Sequence, residues 1–253
     1  MRIIAITNQK GGSGKTTTAV NLAAALGEKR RRALVIDLDP QASASHWLGI
    51  NETEKGLLDV LTNSKALDAL ILPTQVAGVS VVPASPWLVG AEKALAGEVG
   101  AETILRRHVQ RLSHKHWDYV LVDCPPSLGI LTVNALAAVR EVLVPVEAHV
   151  MALNGLAQLL KTVEVAKERL NPDLKITGIL ACRVDARTRH AQEVVEQLRT
   201  RFGKLVYPIV IRENIRLAEC PSFGQPITQY DARSYGAEDF RALAKAVIKQ
   251  ERN

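Results

Sequence analysis

The sequence predicts an α/β protein, a doubly wound, mostly parallel β-sheet flanked by helices, and three observations carry that expectation. Short β-branched runs alternate with helical patterns along the chain, as repeated βαβ units require. Runs such as Ile3-Ile4-Ala5-Ile6 and Tyr119-Val120-Leu121-Val122 are continuously apolar, the mark of strands covered on both faces. Aromatic residues make up 4% of the 253-residue chain while the hydrophobic fraction is 47%, so the core must come from Val, Ile, Leu and Ala.

In chain order, a strand at Arg2–Thr7 leads through a glycine-rich turn into a helix at Lys15–Leu26, and a second strand follows at Ala33–Asp37. Residues 42–99 are less regular, with a short helix at Gly56–Leu61 and a strand at Val79–Val82. The βα alternation then resumes with a strand at Tyr119–Asp123, a helix at Ser127–Ala138 and a strand at Glu141–Val146. A helix at Leu153–Leu170, a strand at Lys175–Ala181 and a helix at Gln192–Phe202 follow. A last helix at Ala237–Lys249 carries Phe240, Leu243, Ala244, Val247 and Ile248 at helical spacing, which reads as docking on the sheet. No internal repeat, low-complexity segment or linker interrupts the chain, and a single domain over residues 1–253 is expected.

No apolar run approaches the roughly 18 residues of a membrane span, and Met1 leads into an apolar stretch without a signal-peptide pattern. A cytoplasmic protein without a membrane partner is expected. Cys124, Cys182 and Cys220 are odd in number and far apart, which argues against a disulfide framework or zinc motif and for buried thiols.

The chemistry begins in the turn Asn8-Gln9-Lys10-Gly11-Gly12-Ser13-Gly14-Lys15-Thr16-Thr17-Thr18. Its place between strand and helix is the context of a phosphate-binding loop. Glycines let backbone N–H groups turn toward a phosphate, the helix N-terminus adds partial positive charge, and Lys15 supplies a full charge to the β- and γ-phosphates. Thr16 is placed to hold Mg²⁺. The usual first glycine of the loop is replaced by Gln9, and a second lysine, Lys10, opens a Lys-Gly-Gly-x-Gly-Lys-Thr run.

With this loop the chain resembles the deviant Walker P-loop NTPases, and within them the ParA/Soj partition ATPases. The resemblance implies that Lys10, Gly11, Gly12, Ser13, Gly14, Lys15, Thr16 and Thr17 bind ATP. It also makes Lys10 a signature lysine that reaches across a nucleotide-sandwich homodimer to the phosphates held by the other subunit. The physical logic is that of an arginine finger supplied in trans.

Two strands end in acids, Asp37-Leu38-Asp39-Pro40-Gln41 and Asp123-Cys124-Pro125-Pro126-Ser127. Ligands of open α/β sheets sit outside the strand carboxyl ends, so these acids converge on the phosphates. Asp123 takes the Walker B position, suited to holding Mg²⁺ through a water. By the resemblance, Asp39 lies in switch I, orients the attacking water and joins Thr16 and Asp123 in the metal site. Asp37 reads equally well as structural. With Lys10, Lys15, Asp39 and Asp123 as its catalytic set, the ATPase should be weak, Mg²⁺-dependent and stimulated by DNA and a ParB-type partner.

The formal net charge is +6, and Arg183–Arg216 holds eight Lys or Arg against four acids. Alone, such a surplus is most often a solvated surface. The resemblance places Arg187, Arg189 and Arg216 at DNA contacts without sequence preference, and Arg183 and Asn214 beside the adenine. Such DNA binding should weaken steeply with salt. The family's Ile-Pro-Arg-Asn is here Ile211-Arg212-Glu213-Asn214. Lys29-Arg30-Arg31-Arg32 reads as a solvated helix end on the side away from the strand carboxyl ends. No N-terminal helix-turn-helix extension of the operator-reading kind is expected before the first strand.

The function implied is ATP-dependent DNA segregation in chromosome or plasmid partition, with nucleoid association and a ParB-type centromere-binding partner. The same mechanism could position another cargo, such as a chemoreceptor cluster or carboxysome. A MinD-like membrane-cycling ATPase would need an amphipathic tail, and an iron–sulfur reductase would need cysteines at the dimer face.

Overall fold

All six expected strands form, and two more complete an eight-stranded sheet. The strands are β1 (Arg2–Ile6), β2 (Ala33–Asp37), β3 (Leu72–Pro73), β4 (Val79–Val82), β5 (Tyr119–Asp123), β6 (Glu141–Glu147), β7 (Lys175–Val184) and β8 (Val206–Arg212). They lie in the order β3-β4-β2-β5-β1-β6-β7-β8. Every neighbouring pair is parallel except β3–β4. The computed structural model describes residues 1–51, 56–62, 65–112, 115–149 and 152–252.

The two strands that the sequence did not announce are the sheet edges, and both contain proline, Pro73 and Pro208. Proline donates no ladder hydrogen bond and is confined to edges, where it also discourages pairing with a second sheet.

Eleven α-helices occur among the described residues. They are α1 (Lys15–Gly27), α2 (Ser43–Trp47), α3 (Leu57–Leu61), α4 (Ala91–Ala94), α5 (Ile104–Val109), α6 (Ile130–Ala138), α7 (Ala152–Arg169), α8 (Arg189–Phe202), α9 (Ile215–Glu219), α10 (Ile227–Tyr230) and α11 (Tyr235–Lys249). Two starts differ from expectation for local reasons. Helix α6 begins three residues later than expected because its N-cap, Gly129, is extended, with ψ −171°. Helix α8 begins earlier because the Thr188 side chain accepts from Ala191 N at 3.2 Å, which satisfies a first-turn donor.

The apolar strands sort their side chains to two cores. Ala5, Leu34, Ile36, Val120 and Val122 face one core, shared with Leu105, Leu131, Leu159 and Leu198. Ile4, Ile6, Val35 and Leu121 face the other, where Leu22 of α1 and Phe240, Leu243 and Val247 of α11 pack. Helix α11 is therefore docked, as its spacing implied. Asn21 ties α1 to α10, donating to Thr17 O at 2.8 Å and accepting from Ile227 N at 2.7 Å. No helix among the described residues is long and apolar enough to cross a membrane.

This topology positions the site. Strand β1 lies between β5 and β6, and the chain leaves it toward β2 on one side and returns to β6 on the other. Such a reversal opens a crevice at the strand carboxyl ends. The basic run at Lys29–Arg32 precedes β2, at the opposite end of the sheet. There Arg31 pairs with Glu251 at 2.8 Å and Arg32 N donates to Asp118 Oδ2 at 2.8 Å.

Candidate nucleotide site and basic face

The turn from β1 to α1 is shaped by two glycines in the left-handed region, Gly12 (φ 74°) and Gly14 (φ 91°). Side chains resist that conformation. A Cβ on Gly12 would meet nothing within 4 Å, whereas one on Gly14 would sit 3.6 Å from Cys182, so the first faces outward and the second rests on β7. Gly14 caps α1 without a side-chain hydrogen bond, and the first turn holds no acid. The helix N-terminus thus keeps its partial positive charge for an anion. Beneath it, the buried Ser13 hydroxyl has no hydrogen-bond partner.

The two lysines of the loop face different ways. Lys15 is buried, and its ammonium donates to Lys10 O at 3.3 Å. Burial lowers its pKa, and the charges of Asp123 and Asp39 act against that shift. Lys10 is exposed, with Nζ 2.6 Å from Glu147 Oε2 at the end of β6. Arg183 NH1 binds the other oxygen of Glu147 at 3.1 Å. The loop is moored to β6 by Asn8, which donates to Pro145 O at 2.7 Å and accepts from Lys10 N at 3.0 Å.

Register brings the acids together. Asp123 on β5 is the in-register partner of Ile6 on β1 and of Asp37 on β2. Asp123 is fully buried, and neither carboxylate oxygen has a hydrogen-bond partner in the protein. Burial first, and then the charge of Asp37, pushes its pKa well above the ordinary range; the nearby Thr16 hydroxyl acts the other way. A buried carboxylate without a donor is expensive, and a hard cation with oxygen ligands would satisfy it. Asp123 and Thr16 therefore fit a Mg²⁺ ion.

Asp37 has its partners already. Its oxygens accept from Ser45 N at 2.8 Å, Ser45 Oγ at 2.7 Å and Asp39 N at 3.1 Å. Ser45 Oγ in turn accepts from Ala84 N at 3.0 Å. Burial raises the Asp37 carboxyl to about 6. These bonds join β2 to α2 and to the segment after β4. Asp39 is only partly buried; its Oδ1 accepts from Gln41 N at 3.0 Å, holding the turn beside Lys15.

The basic segment is a set of exposed, locally paired arginines. Arg187 grips Asp185 with two contacts of 2.9 Å, Arg189 opens α8 on the surface, and Arg216 meets Glu219 at 3.1 Å. Asn214 caps α9 by accepting from Arg216 N at 2.8 Å. Arg183 stands at a left-handed φ of 54° at the end of β7. Arg212 instead ties β8 to α11, with Asp239 Oδ1 at 2.6 Å, Glu238 Oε2 at 3.1 Å and the Tyr235 ring centroid at 4.3 Å. That explains how arginine stands where the resembling sequences carry proline.

Glu147, Asn8, Ser45 and Asp239 were not singled out from the sequence. Each makes contacts across 8 to 137 residues of chain through strand pairing or helix docking, and no local motif marks them. All three cysteines are free and buried, Cys124 beside Asp123 and Cys182 beneath Gly14, where burial pushes the Cys182 thiol up to about 12.

A parallel sheet with this loop at its reversal point, two lysines in the loop and an acid closing the adjacent strand define a P-loop nucleotide-binding protein of the deviant Walker kind. A family model described as an AAA domain matches residues 1–176. The chromosome partitioning protein ParA of Myxococcus xanthus is 46% identical over 99% of this chain and 89% of its own. The sporulation initiation inhibitor protein Soj of Bacillus subtilis is 45% identical over 97% and 98%. Crystal structures of cobyrinic acid a,c-diamide synthase from Mycobacterium smegmatis superpose with a TM-score of 0.88 at 33% identity, covering 100% of this chain and 96% of that one; one holds ADP and magnesium, another an ATP analogue and magnesium. The chain belongs to the ParA/Soj family of partition ATPases.

Proposed function

We propose that this protein is an ATP- and Mg²⁺-dependent DNA-segregation ATPase of chromosome or plasmid partition, cytoplasmic and nucleoid-associated. ATP closes a homodimer, the dimer holds double-stranded DNA without sequence preference, and a ParB-type partner stimulates hydrolysis and release. The observation that carries this reading is the division of labour within one loop: Lys15 is buried beside Asp123, and Lys10 is exposed at the mouth.

Lys15 needs only to exchange the Lys10 carbonyl for phosphate oxygens, and the uncapped start of α1 points its N–H groups at the same place. Mg²⁺, when bound, would be held by Thr16 and Asp123, with Asp39 beside it, and would neutralise phosphate charge. Asp39 orients a water from the switch I turn. Lys10 lies exposed at the mouth of the loop, on an ion pair with Glu147, and on leaving that pair would serve a partner's site, stabilising charge on the transferring phosphoryl group. With one orienting acid and a cation that arrives only on dimerisation, slow turnover follows. On the basic face, the pairs of Arg187 with Asp185 and Arg216 with Glu219 are exposed. Such solvent-screened pairs contribute little, so DNA phosphates displace the acids at little cost.

Static light scattering with a non-hydrolysable ATP analogue tests this reading. Mass should double in wild type and stay monomeric in Lys10→Ala, which still binds the nucleotide. A wild-type protein that remains monomeric, or a Lys10→Ala protein that dimerises as wild type does, removes the dimer mechanism.

A further inference from the structure

Lys10 has to leave its own chain before it can serve another, and the structure shows what it must leave. Three contacts hold it: its N–H on Asn8 Oδ1 at 3.0 Å, its carbonyl under Lys15 Nζ at 3.3 Å, and its ammonium on Glu147 Oε2 at 2.6 Å. The first two engage the backbone and leave the side chain free to swing. Only the third opposes action in trans. Glu147 is the last residue of β6, and the mooring of Asn8 to Pro145, two residues earlier, keeps the loop within its reach. The same carboxylate holds Arg183 at 3.1 Å through its second oxygen, and Arg183 is fixed in a left-handed conformation that arginine rarely adopts.

We propose that Glu147 is a positioning residue that parks Lys10 in the monomer and competes with the partner's phosphates for it, setting the threshold for dimerisation. This rests on the role of Lys10 proposed above. A glutamate offers full negative charge, so the parked state is an ion pair and its release is favoured only when a larger anion is presented. The contact lowers the Glu147 pKa, with Lys10 the leading cause, so the carboxylate stays charged at neutral pH. Both partners are partly exposed, which keeps the lock weak enough to open. A lock worth what exposed ion pairs are worth shifts an equilibrium by about two- to fivefold.

The test compares wild type, Glu147→Gln and Glu147→Asp by light scattering against protein concentration, with a non-hydrolysable ATP analogue and Mg²⁺. ADP affinity is measured in parallel as a monomer readout. Glu147→Gln should dimerise at a two- to fivefold lower concentration, Glu147→Asp should stay near wild type, and ADP affinity should hold in both. An unchanged or raised threshold for Glu147→Gln with ADP affinity intact overturns the proposal; in the raised case the glutamate supports the dimer. A second readout works on the nucleotide-free monomer: acylation of the Lys10 amine, followed by mass spectrometry, should be faster in Glu147→Gln, and equal rates also overturn the proposal. If wild type itself fails to dimerise, the dimer mechanism has failed; if wild type dimerises and the variants do not differ from it, the lock alone has failed.

Discussion

Asp123 shows how far single residues determine the chemistry. A carboxylate fully buried with no hydrogen-bond partner is tolerated where a cation is to come. Asp123→Asn should therefore fold with an apo melting temperature no lower than wild type, yet lose the Mg²⁺-dependent part of the thermal shift given by ATP. A wild-type shift in that variant would remove Asp123 from the metal site. Asp39→Ala should leave ATP bound and hold the dimer on DNA, and its rapid release from DNA would remove Asp39 from catalysis. At this scale the sequence was most informative where residues are neighbours in the chain. Lys10, Lys15 and Thr16 lie in one loop, so covalent spacing alone puts them together. Glu147 reaches Lys10 across 137 residues, through the parallel pairing of β1 with β6, and no motif encodes that meeting. Asp37 read equally well as structure or chemistry, because its three hydrogen bonds and the Ser45 bridge to Ala84 join segments that no local motif connects.

Elements follow the same division. The central strands were readable because burial on both faces requires continuous apolar runs, and α11 was readable because one apolar stripe repeats at helical spacing. Strand β8 was not, since Pro208 breaks the strand signal and is tolerated only because β8 is an edge. Helices α9 and α10 are too short for any period to show. The docking of α11 rests most on Phe240, which is fully buried against α1 and the sheet. Phe240→Ala should destabilise the protein by about 3–5 kcal/mol, measured by urea unfolding, while nucleotide affinity of the folded fraction is retained. At the basic face, Thr188 caps α8 between Arg187 and Arg189. Thr188→Ala should cost about 1 kcal/mol in the same unfolding experiment; a loss near zero would mean that the cap contributes nothing to holding that helix end.

For the whole molecule, the sheet order places every piece of chemistry at one end. The ends of β1, β2, β5 and β6 carry the loop, Asp39, Asp123 and Glu147, while Arg31 pairs with Glu251 and Arg32 with Asp118 at the other end. The surplus of charge between residues 183 and 216 is divided by the fold: Arg212 fastens β8 to α11, Arg183 faces Glu147, and Arg187, Arg189 and Arg216 remain on the surface. On the proposed reading, a monomer with three such arginines would hold DNA weakly and a dimer would double the set, so that nucleotide state would become DNA affinity. Arg187→Glu and Arg216→Glu should each abolish DNA binding while ATP-dependent dimerisation persists; intact DNA affinity in both would move the binding face elsewhere. The most direct measurement is the affinity of the wild-type protein for a random-sequence duplex with no nucleotide, with ADP and with ATP plus Mg²⁺, across a series of salt concentrations. Tight, steeply salt-dependent binding with ATP alone, independent of duplex sequence, is the expected result. Equal affinity in all three nucleotide states, or none in any of them, would contradict the account.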